Sequence, residues 1–335
     1  MPHTDDGGST KADCLNQLWG ALLRDEAAEG FAYKAIILHD AEDAVHADEL
    51  RLFDVMTERF DMVQLPVQPL LNQHSKWIAG HYADEFAESH GKYLSTREAL
   101  GASVPSAGVG CAFMRESLAA IATTRGGSPF DPGSLTEDYE IGLHIRQMGG
   151  RTAFVTMRDG AGEMNRTEEH FPETLDAAIK QKARWFVGIS LAGWDRMGWH
   201  GGIREFWMRL HDRRTSLAAL VLCAAYLGLL LYGLRLALGV FYGVPAEPMP
   251  DFLVSCLWIT SGLMLWRMAM RAFFVGRTYG LAQALRSVPR TFIANIIAIL
   301  AARRAMGIYI RQLRGGSVVW DKTDHRSAFD TEIAA

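Results

Sequence analysis

Leu217 to Leu234 is apolar throughout apart from Tyr226, Tyr232 and small residues, and is about long enough to cross a bilayer as one helix. Phe252 to Met270 is a second such run, broken only near its end by Arg267, whose long stem lets the charge reach the interface. Thr291 to Ala302 is shorter and flanked by Arg286, Arg290, Arg303 and Arg304, which reads as an interfacial or re-entrant helix. The bland alternative for each is a helix buried in a large core. With 335 residues and 49% hydrophobic content, the chain has room for one soluble domain followed by a membrane part.

Charge sets the orientation. Arg204, Arg209, Arg213 and Arg214 precede the first run, and Arg271, Arg277, Arg286 and Arg290 follow the second. The connector 239–251 has no Lys or Arg and contains Glu247 and Asp251, so it faces outward and both flanks face the cytoplasm. Two crossings bring the tail at Trp320 back to the side of the soluble domain. Residues 1–200 then form the α/β domain, 201–215 a basic, Trp-rich interfacial helix, 216–314 the membrane region and 315–335 a cytoplasmic tail. A net charge of −4 carries no nucleic-acid signature. Cys14, Cys111, Cys223 and Cys256 form no short-spaced pair, which fits a reducing compartment and no metal cluster.

Three motifs in the soluble part carry chemistry. Ala35-Ile36-Ile37-Leu38 is a short apolar run that suits a buried parallel strand, and it ends in His39-Asp40-Ala41-Glu42-Asp43. Carboxylates at the C-terminal end of such a strand sit where open α/β sheets bind ligands. Asp40 and Glu42 can hold Mg²⁺ or Mn²⁺ through oxygen, the remaining positions going to diphosphate and water. Zinc on His39 and His46 is the softer alternative; a solvated acidic loop is the plain one.

Thr136-Glu137-Asp138 follows a turn-rich stretch and opens a helical pattern of Tyr139, Leu143 and Gln147. Thr136 can act as N-cap, with the two acids in the first turn where the helix dipole favours them. The functional version has Asp138 take a proton from an attacking hydroxyl. Further on, Gln181, Arg184 and Trp185 stand at i, i+3 and i+4 of a proline-free helix, hence on one face. A guanidinium there suits a pyrophosphate, and an indole gives a sugar ring a flat wall. An ordinary amphipathic helix is the competing account.

In this order the motifs resemble those of a processive-type family 2 glycosyltransferase with a GT-A fold, from about Thr10 to Trp194. Thr10-Lys11-Ala12-Asp13-Cys14-Leu15-Asn16 looks like the family segment near the nucleotide, which places Lys11 there. Asp40-Ala41-Glu42 stands where the family has its metal-binding Asp-x-Asp, and either Glu42 or Asp43 completes the shell. Gly108-Val109-Gly110, running on to Arg115, resembles the glycine-rich strand lining the acceptor side, so Gly108 and Gly110 join the substrate residues. Ser134 to Leu143 is similar to the Thr-Glu-Asp segment carrying the catalytic base, and Gln181-x-x-Arg184-Trp185 to the Gln-x-x-Arg-Trp motif. Within the family, Leu38 to Asp43, Glu49 to Phe53, Met62 to Val67 and Trp320 to Thr323 resemble bacterial inner-membrane members of the phage adsorption protein B type.

The resemblance implies an α/β fold: an incomplete GT-A domain with a mostly parallel sheet, followed by transmembrane and interfacial helices. It implies inverting transfer from a nucleoside-diphosphate sugar, a UDP-sugar by preference, to a polysaccharide or lipid-linked acceptor in exopolysaccharide or envelope synthesis at the inner membrane. Asp138 would be the base, Glu137 would orient it or the acceptor, and Thr136 would touch substrate. Arg184 and Gln181 would stabilise the diphosphate while Trp185 shapes the acceptor end. The family's first two strands, which cradle the base of the nucleotide, have no counterpart ahead of Lys11. The front of that pocket is therefore expected from a truncated start, a split gene or a partner polypeptide. Two other readings stay open: a metal-dependent phosphohydrolase using Asp40, Glu42 and His39, and a catalytically incomplete membrane scaffold or phage-receptor assembly component.

Overall fold

The computed structural model describes residues 10–244 and 248–316. The Trp320 tail and Glu247 lie outside them. The first helix, α1 (Lys11–Glu29), starts at a capping box: the Asp13 amide donates to the Thr10 hydroxyl, and the Thr10 amide donates to the Asp13 carboxylate at 2.8 Å. It stops at Gly30, whose φ of 75° closes the helix. This start fixes Lys11 on the first turn, beside the sheet.

Then follow β1 (Ala35–Leu38), α2 (Glu49–Met56), β2 (Met62–Gln64), β3 (Val67–Pro69), α3 (Ile78–Glu88) and α4 (Ser95–Ala99). Next come β4 (Cys111–Met114), α5 (Arg115–Thr124), α6 (Glu137–Gln147), β5 (Thr152–Phe154) and β6 (Thr167–Glu169). The main sheet has the order β1-β4-β2-β5, with β4 antiparallel to both neighbours and β2 parallel to β5. Three strands thus run one way and β4 alone is reversed, while β3 and β6 form a separate parallel pair. The outer edge of β1 carries no strand among the described residues.

Strand alternation sorts the core into two layers. Met62, Cys111 and Phe113 face α1, α5 and α6, where Trp19, Leu118, Ile121, Ile141 and Ile145 cover them. Val63, Ala112 and Ala153 face the other way, onto Leu52 and Phe53 of α2. Both faces are covered, as an α/β sheet requires.

The C-terminal part is helical: α7 (Leu175–Trp185), a π-helical stretch Phe186–Leu191, α8 (Ala192–Met197), α9 (Ile203–Tyr242), α10 (Asp251–Tyr279) and α11 (Leu281–Leu313). By length and composition α9, α10 and α11 could each cross a membrane. The apolar runs 217–234 and 252–270 fall inside α9 and α10.

Two boundaries differ from the sequence expectation. The basic stretch 201–215 is not a separate interfacial helix; no proline interrupts the chain, and its first turns are those of α9. Several of its charges are spent on protein. Glu205 accepts from the Ser103 amide at 2.8 Å, Arg209 pairs with Glu205 at 2.9 Å, and Asp212 takes Arg97 at 2.7 Å.

The third apolar segment is also longer than 291–302 and extends through all of α11. One face of α11, with Arg290, Ile297, Ala301 and Ala305, is buried on the α/β domain, against Tyr82, Ala178, Ala183 and Val187. Arg290 lies 2.9 Å from Asp84 of α3 and donates to the Gly80 carbonyl at 3.0 Å. The opposite face exposes Leu281, Leu285, Phe292 and Ile296. Both members of the Arg290–Asp84 pair are fully buried, so removing either would strand a charge at a cost of about 3–5 kcal/mol.

Candidate functional site

At the C-terminal end of β1 the chain turns sharply, and its acids divide. Asp40 reaches back to α1, where the Lys11 ammonium donates to it at 2.6 Å. Burial alone would push the Lys11 ammonium down; Asp40 in contact, with Asp138 and Glu137 further off, holds it above the usual lysine range.

Asp43 turns the other way. Its carboxylate accepts the Asp40 amide at 2.9 Å and meets His39 Nδ1 at 3.3 Å, while His39 Nε2 meets Glu49 at 2.6 Å. Burial works against the charged imidazole, but these two acids outweigh it and bring His39 to about 9. Asp43 and His39 therefore close the loop. Both ring nitrogens of His39 thus already face carboxylates, while Asp43, Asp40 and Glu42 all act on Glu169. His46 lies 3.6 Å from Asp159 instead. Among the described residues no three His, Cys, Asp or Glu side chains converge as a ready-made metal cage.

The base segment is placed by a different set of contacts. Ser134 Oγ accepts the Thr136 amide at 3.1 Å and donates to Glu140 at 2.8 Å, and Arg196 donates to Glu140 at 2.9 Å. Thr136 occupies the N-cap position of α6, yet its hydroxyl caps nothing. Instead it is buried against Gly188 of the π-helical stretch, where a Cβ would collide with it. The sequence thus located the cap but not the use of its side chain, because Gly188 arrives from a distant helix.

Asp138 accepts from the Tyr139 amide at 2.7 Å, and its other oxygen lies over Gly108, where a Cβ could not fit. Gly108 has φ of 82° and Gly110 has φ of 59°, the left-handed region that side chains avoid. A Cβ on Gly110 would strike Thr167. Gln64, at the end of β2, pins this glycine loop by accepting from the Ala107 amide at 2.7 Å and donating to the Val109 carbonyl at 2.9 Å.

Burial raises both Glu137 and Asp138 above the ordinary carboxylate range, Glu137 additionally through the neighbouring Asp138 charge; Lys11 and Arg184 partly offset this. On α7, capped by Thr174, Gln181 is buried with its carbonyl oxygen unpartnered. Burial lowers the Arg184 guanidinium, and Asp138, Glu137 and Asp40 pull it back. Trp185 stands edge-on to Tyr82 at 6.0 Å in an aromatic cluster that also holds Phe86 and Phe171. The indole is thus partly packing, with its free edge on a neighbouring cavity.

The same five charges, Lys11, Asp40, Glu137, Asp138 and Arg184, therefore act on one another across four separate segments. The fold brings these sequence-predicted residues together around one centre. One residue was missed: Glu169, at the end of β6, is pushed well above the usual range by burial and by the charges of Asp43, Asp40 and Glu42. No motif surrounds it; only the pairing of β3 with β6 carries it there.

A crowd of carboxylates at a strand end, facing an arginine across a buried acid pair, can neutralise a diphosphate on one side and accept a proton on the other. The chain is 36% identical over 346 aligned positions to bacteriophage adsorption protein B of Escherichia coli K12, across 95% of this chain and 46% of that protein. It is equally similar to bacteriophage N4 adsorption protein B of Escherichia coli O157:H7. The chain thus spans about half the length of the curated relatives it matches. The family described as glycosyl transferase family group 2 matches residues 35–270, which include Asp40, Asp138 and Arg184, and the chain belongs to that family.

Proposed function

We propose that this chain carries the catalytic centre of an inverting, inner-membrane glycosyltransferase that uses a nucleoside-diphosphate sugar, UDP-linked by preference. The observation that carries the reading is the electrostatic meeting of Lys11–Asp40, Glu137–Asp138 and Arg184. Asp138 takes the proton of the acceptor hydroxyl as that oxygen attacks the anomeric carbon from the face opposite the leaving diphosphate. Burial keeps its affinity for that proton high. Glu137 adds a second negative charge and orients the acceptor. Arg184 and Gln181 face the diphosphate, Gln181 with a buried oxygen still open to a donor. Gly108 makes room for the Asp138 carboxylate over the loop, and Gly110 for Thr167.

Asp40 and Glu42, whose charges act with that of Asp43 on the buried Glu169, would serve as oxygen ligands of a hard divalent cation such as Mg²⁺ or Mn²⁺, with diphosphate and water filling its remaining positions. When bound, that cation would neutralise charge on the leaving diphosphate. Lys11 holds Asp40 in place meanwhile.

The basic flanks of α9 and α10 support a cytoplasmic position for the α/β domain. The amphipathic α11, bound to the domain by Arg290 and exposing Leu285 and Phe292 outward, lies along the inner leaflet.

A second reading rests on the open outer edge of β1, beside the nucleotide side of the centre. By it, the chain is a scaffold for envelope or phage-receptor assembly whose nucleotide pocket needs a further polypeptide segment.

Asp138→Asn separates the two. The transferase reading expects turnover of UDP-sugar to vanish in the variant while nucleotide affinity is kept. Equal turnover would remove Asp138 from its role, and a wild-type chain that binds no nucleotide would favour the scaffold.

A further inference from the structure

The Gln-x-x-Arg-Trp segment of α7 carries a further charge at a position the motif leaves open. Lys182, between Gln181 and Arg184, is buried. Its ammonium pairs with Glu85 of α3 and stands over the rings of Tyr82 at 5.2 Å and Trp185 at 5.6 Å. The two partners are 97 residues apart in the chain. Lys180 on the same helix behaves differently: it pairs with Asp176 one turn back, and that carboxylate is exposed. A pair within one helix steadies the helix but cannot place it in the fold. The pair from Lys182 to Glu85 can.

α3 is a firm reference for such placement. Beside Glu85 it carries Asp84 and Glu88, and each of the three acids takes a cation from a different helix. Asp84 lies 2.9 Å from Arg290 of α11, and Glu88 lies 3.0 Å from Arg271 of α10. Arg290 also donates to the Gly80 carbonyl at 3.0 Å, and a Cβ on Gly80 would strike its guanidinium. α3 is thereby fixed to both α10 and α11, and Glu85 extends the same frame to α7.

Apolar packing alone leaves α7 more freedom. The helix meets α11 through Ala178 and Ala183, set against Ile297 and Ala301. Small side chains make a smooth contact, and hydrophobic burial has no preferred direction. Slipping a helix by one residue moves its side chains about 1.5 Å along the axis and turns them by about 100°. A buried ammonium resists such a slip, because any other register strands it without its carboxylate, and fixing register is the best-attested use of buried ion pairs. The side chain most exposed to an error of register is Arg184, which shares the field of Asp138, Glu137 and Asp40. A misplacement of about 1 Å at a reacting centre can cost about 100-fold in rate.

We propose that Lys182, held by Glu85 of α3, is a positioning residue for Arg184: the pair sets the register of α7 and with it the place of the guanidinium against a diphosphate. The inference rests on the transferase reading and adds two residues that act through Arg184 rather than on substrate.

The test uses the full chain in phosphatidylcholine nanodiscs with Mn²⁺, titrated in parallel with UDP and with uridine. Lys182→Met should weaken UDP tenfold or more and leave uridine unchanged, because only the diphosphate meets Arg184. Lys182→Arg, which keeps the charge, should hold UDP within about threefold of the wild type. In an Arg184→Ala background Lys182→Met should add nothing further, since the side chain it positions is gone. Equal weakening of uridine, a further loss on top of Arg184→Ala, a loss in Lys182→Arg as large as in Lys182→Met, or unchanged UDP affinity in Lys182→Met would each overturn the proposal.

Melting temperatures report whether each variant folds. Glu85 is partly exposed, so Glu85→Gln is the second variant, and the same loss of UDP with uridine kept is expected from it. A wild-type chain that does not bind UDP defeats the transferase reading and this inference together. A wild-type chain that binds UDP, with no loss in Lys182→Met or Glu85→Gln, defeats this inference alone.

Discussion

The Asp40 loop, at the end of β1, and the Asp138 segment, at the start of α6, are both acidic and are built on different plans. In the loop the charges are answered locally: Asp40 by Lys11, Asp43 by His39 and the Asp40 amide, His39 by Glu49. In the base segment one Glu137 oxygen and the Thr136 hydroxyl are buried without a hydrogen-bond partner, as is the Gln181 oxygen of α7. A buried polar atom left open costs about 1–3 kcal/mol. Asp43 and Glu49 of the loop likewise each keep one buried oxygen unpartnered. The difference lies in the charges: those of Asp40, Asp43 and Glu49 each meet a counter-charge in direct contact, whereas Glu137 and Asp138 have none in contact among the described residues and are raised together by burial.

The strongest way to break that contrast is at Gly108. Gly108→Ala adds a Cβ at a left-handed backbone position and drives it into the Asp138 carboxylate. Strain of about 1–2 kcal/mol and a displaced base should lower kcat by roughly 100-fold or more. Nucleotide affinity, set on the Asp40 side, should change little; steady-state kinetics beside a binding titration checks this.

His39→Gln attacks the loop side. The variant loses the cation between Asp43 and the buried Glu49, which should cost about 1–3 kcal/mol in thermal or urea unfolding near neutral pH. The sign with pH follows from linkage. His39 is raised to about 9 in the folded chain against an ordinary 6.5, so its contribution is whole below about 6.5 and gone above about 9. Wild-type stability should therefore fall across that window relative to the variant. Parallel curves for the two proteins would contradict the assignment.

The finest probe is Glu137→Gln. Burial raises both acids and the Asp138 charge adds to Glu137, so replacing Glu137 by a neutral amide should move the acidic limb of kcat/KM to lower pH. A limb that stays in place would show that the two acids do not share a field.

Much of this contrast was legible before folding. Ala35 to Leu38 is β1 to the residue, and the three motifs fall at the end of β1, at the start of α6 and on α7. Apolar periodicity and turn residues mark such places directly. Long-range partners are different. Nothing near Thr136 announces Gly188, nothing near Asp138 announces the glycine loop pinned by Gln64, and Glu169 joins the acids only through strand pairing. The His39–Asp43 contact, at i and i+4, was within reach of sequence reasoning; the stronger pull of a metal-binding pattern on the same residues concealed it.

The membrane part shows the same limit. Hydropathy found the apolar runs, but the docking of α11 through Arg290 onto Asp84 is a tertiary pairing that no window of sequence contains.

Amide hydrogen exchange of the full chain with and without UDP-sugar and Mn²⁺ tests the central claim most directly, because it reads all three motifs at once. Slowed exchange at 39–43, 136–140 and 181–188 together, with the outer turns of α10 unchanged, is the predicted result. Protection confined to one segment, or absent from the Asp138 turn, would contradict a shared centre.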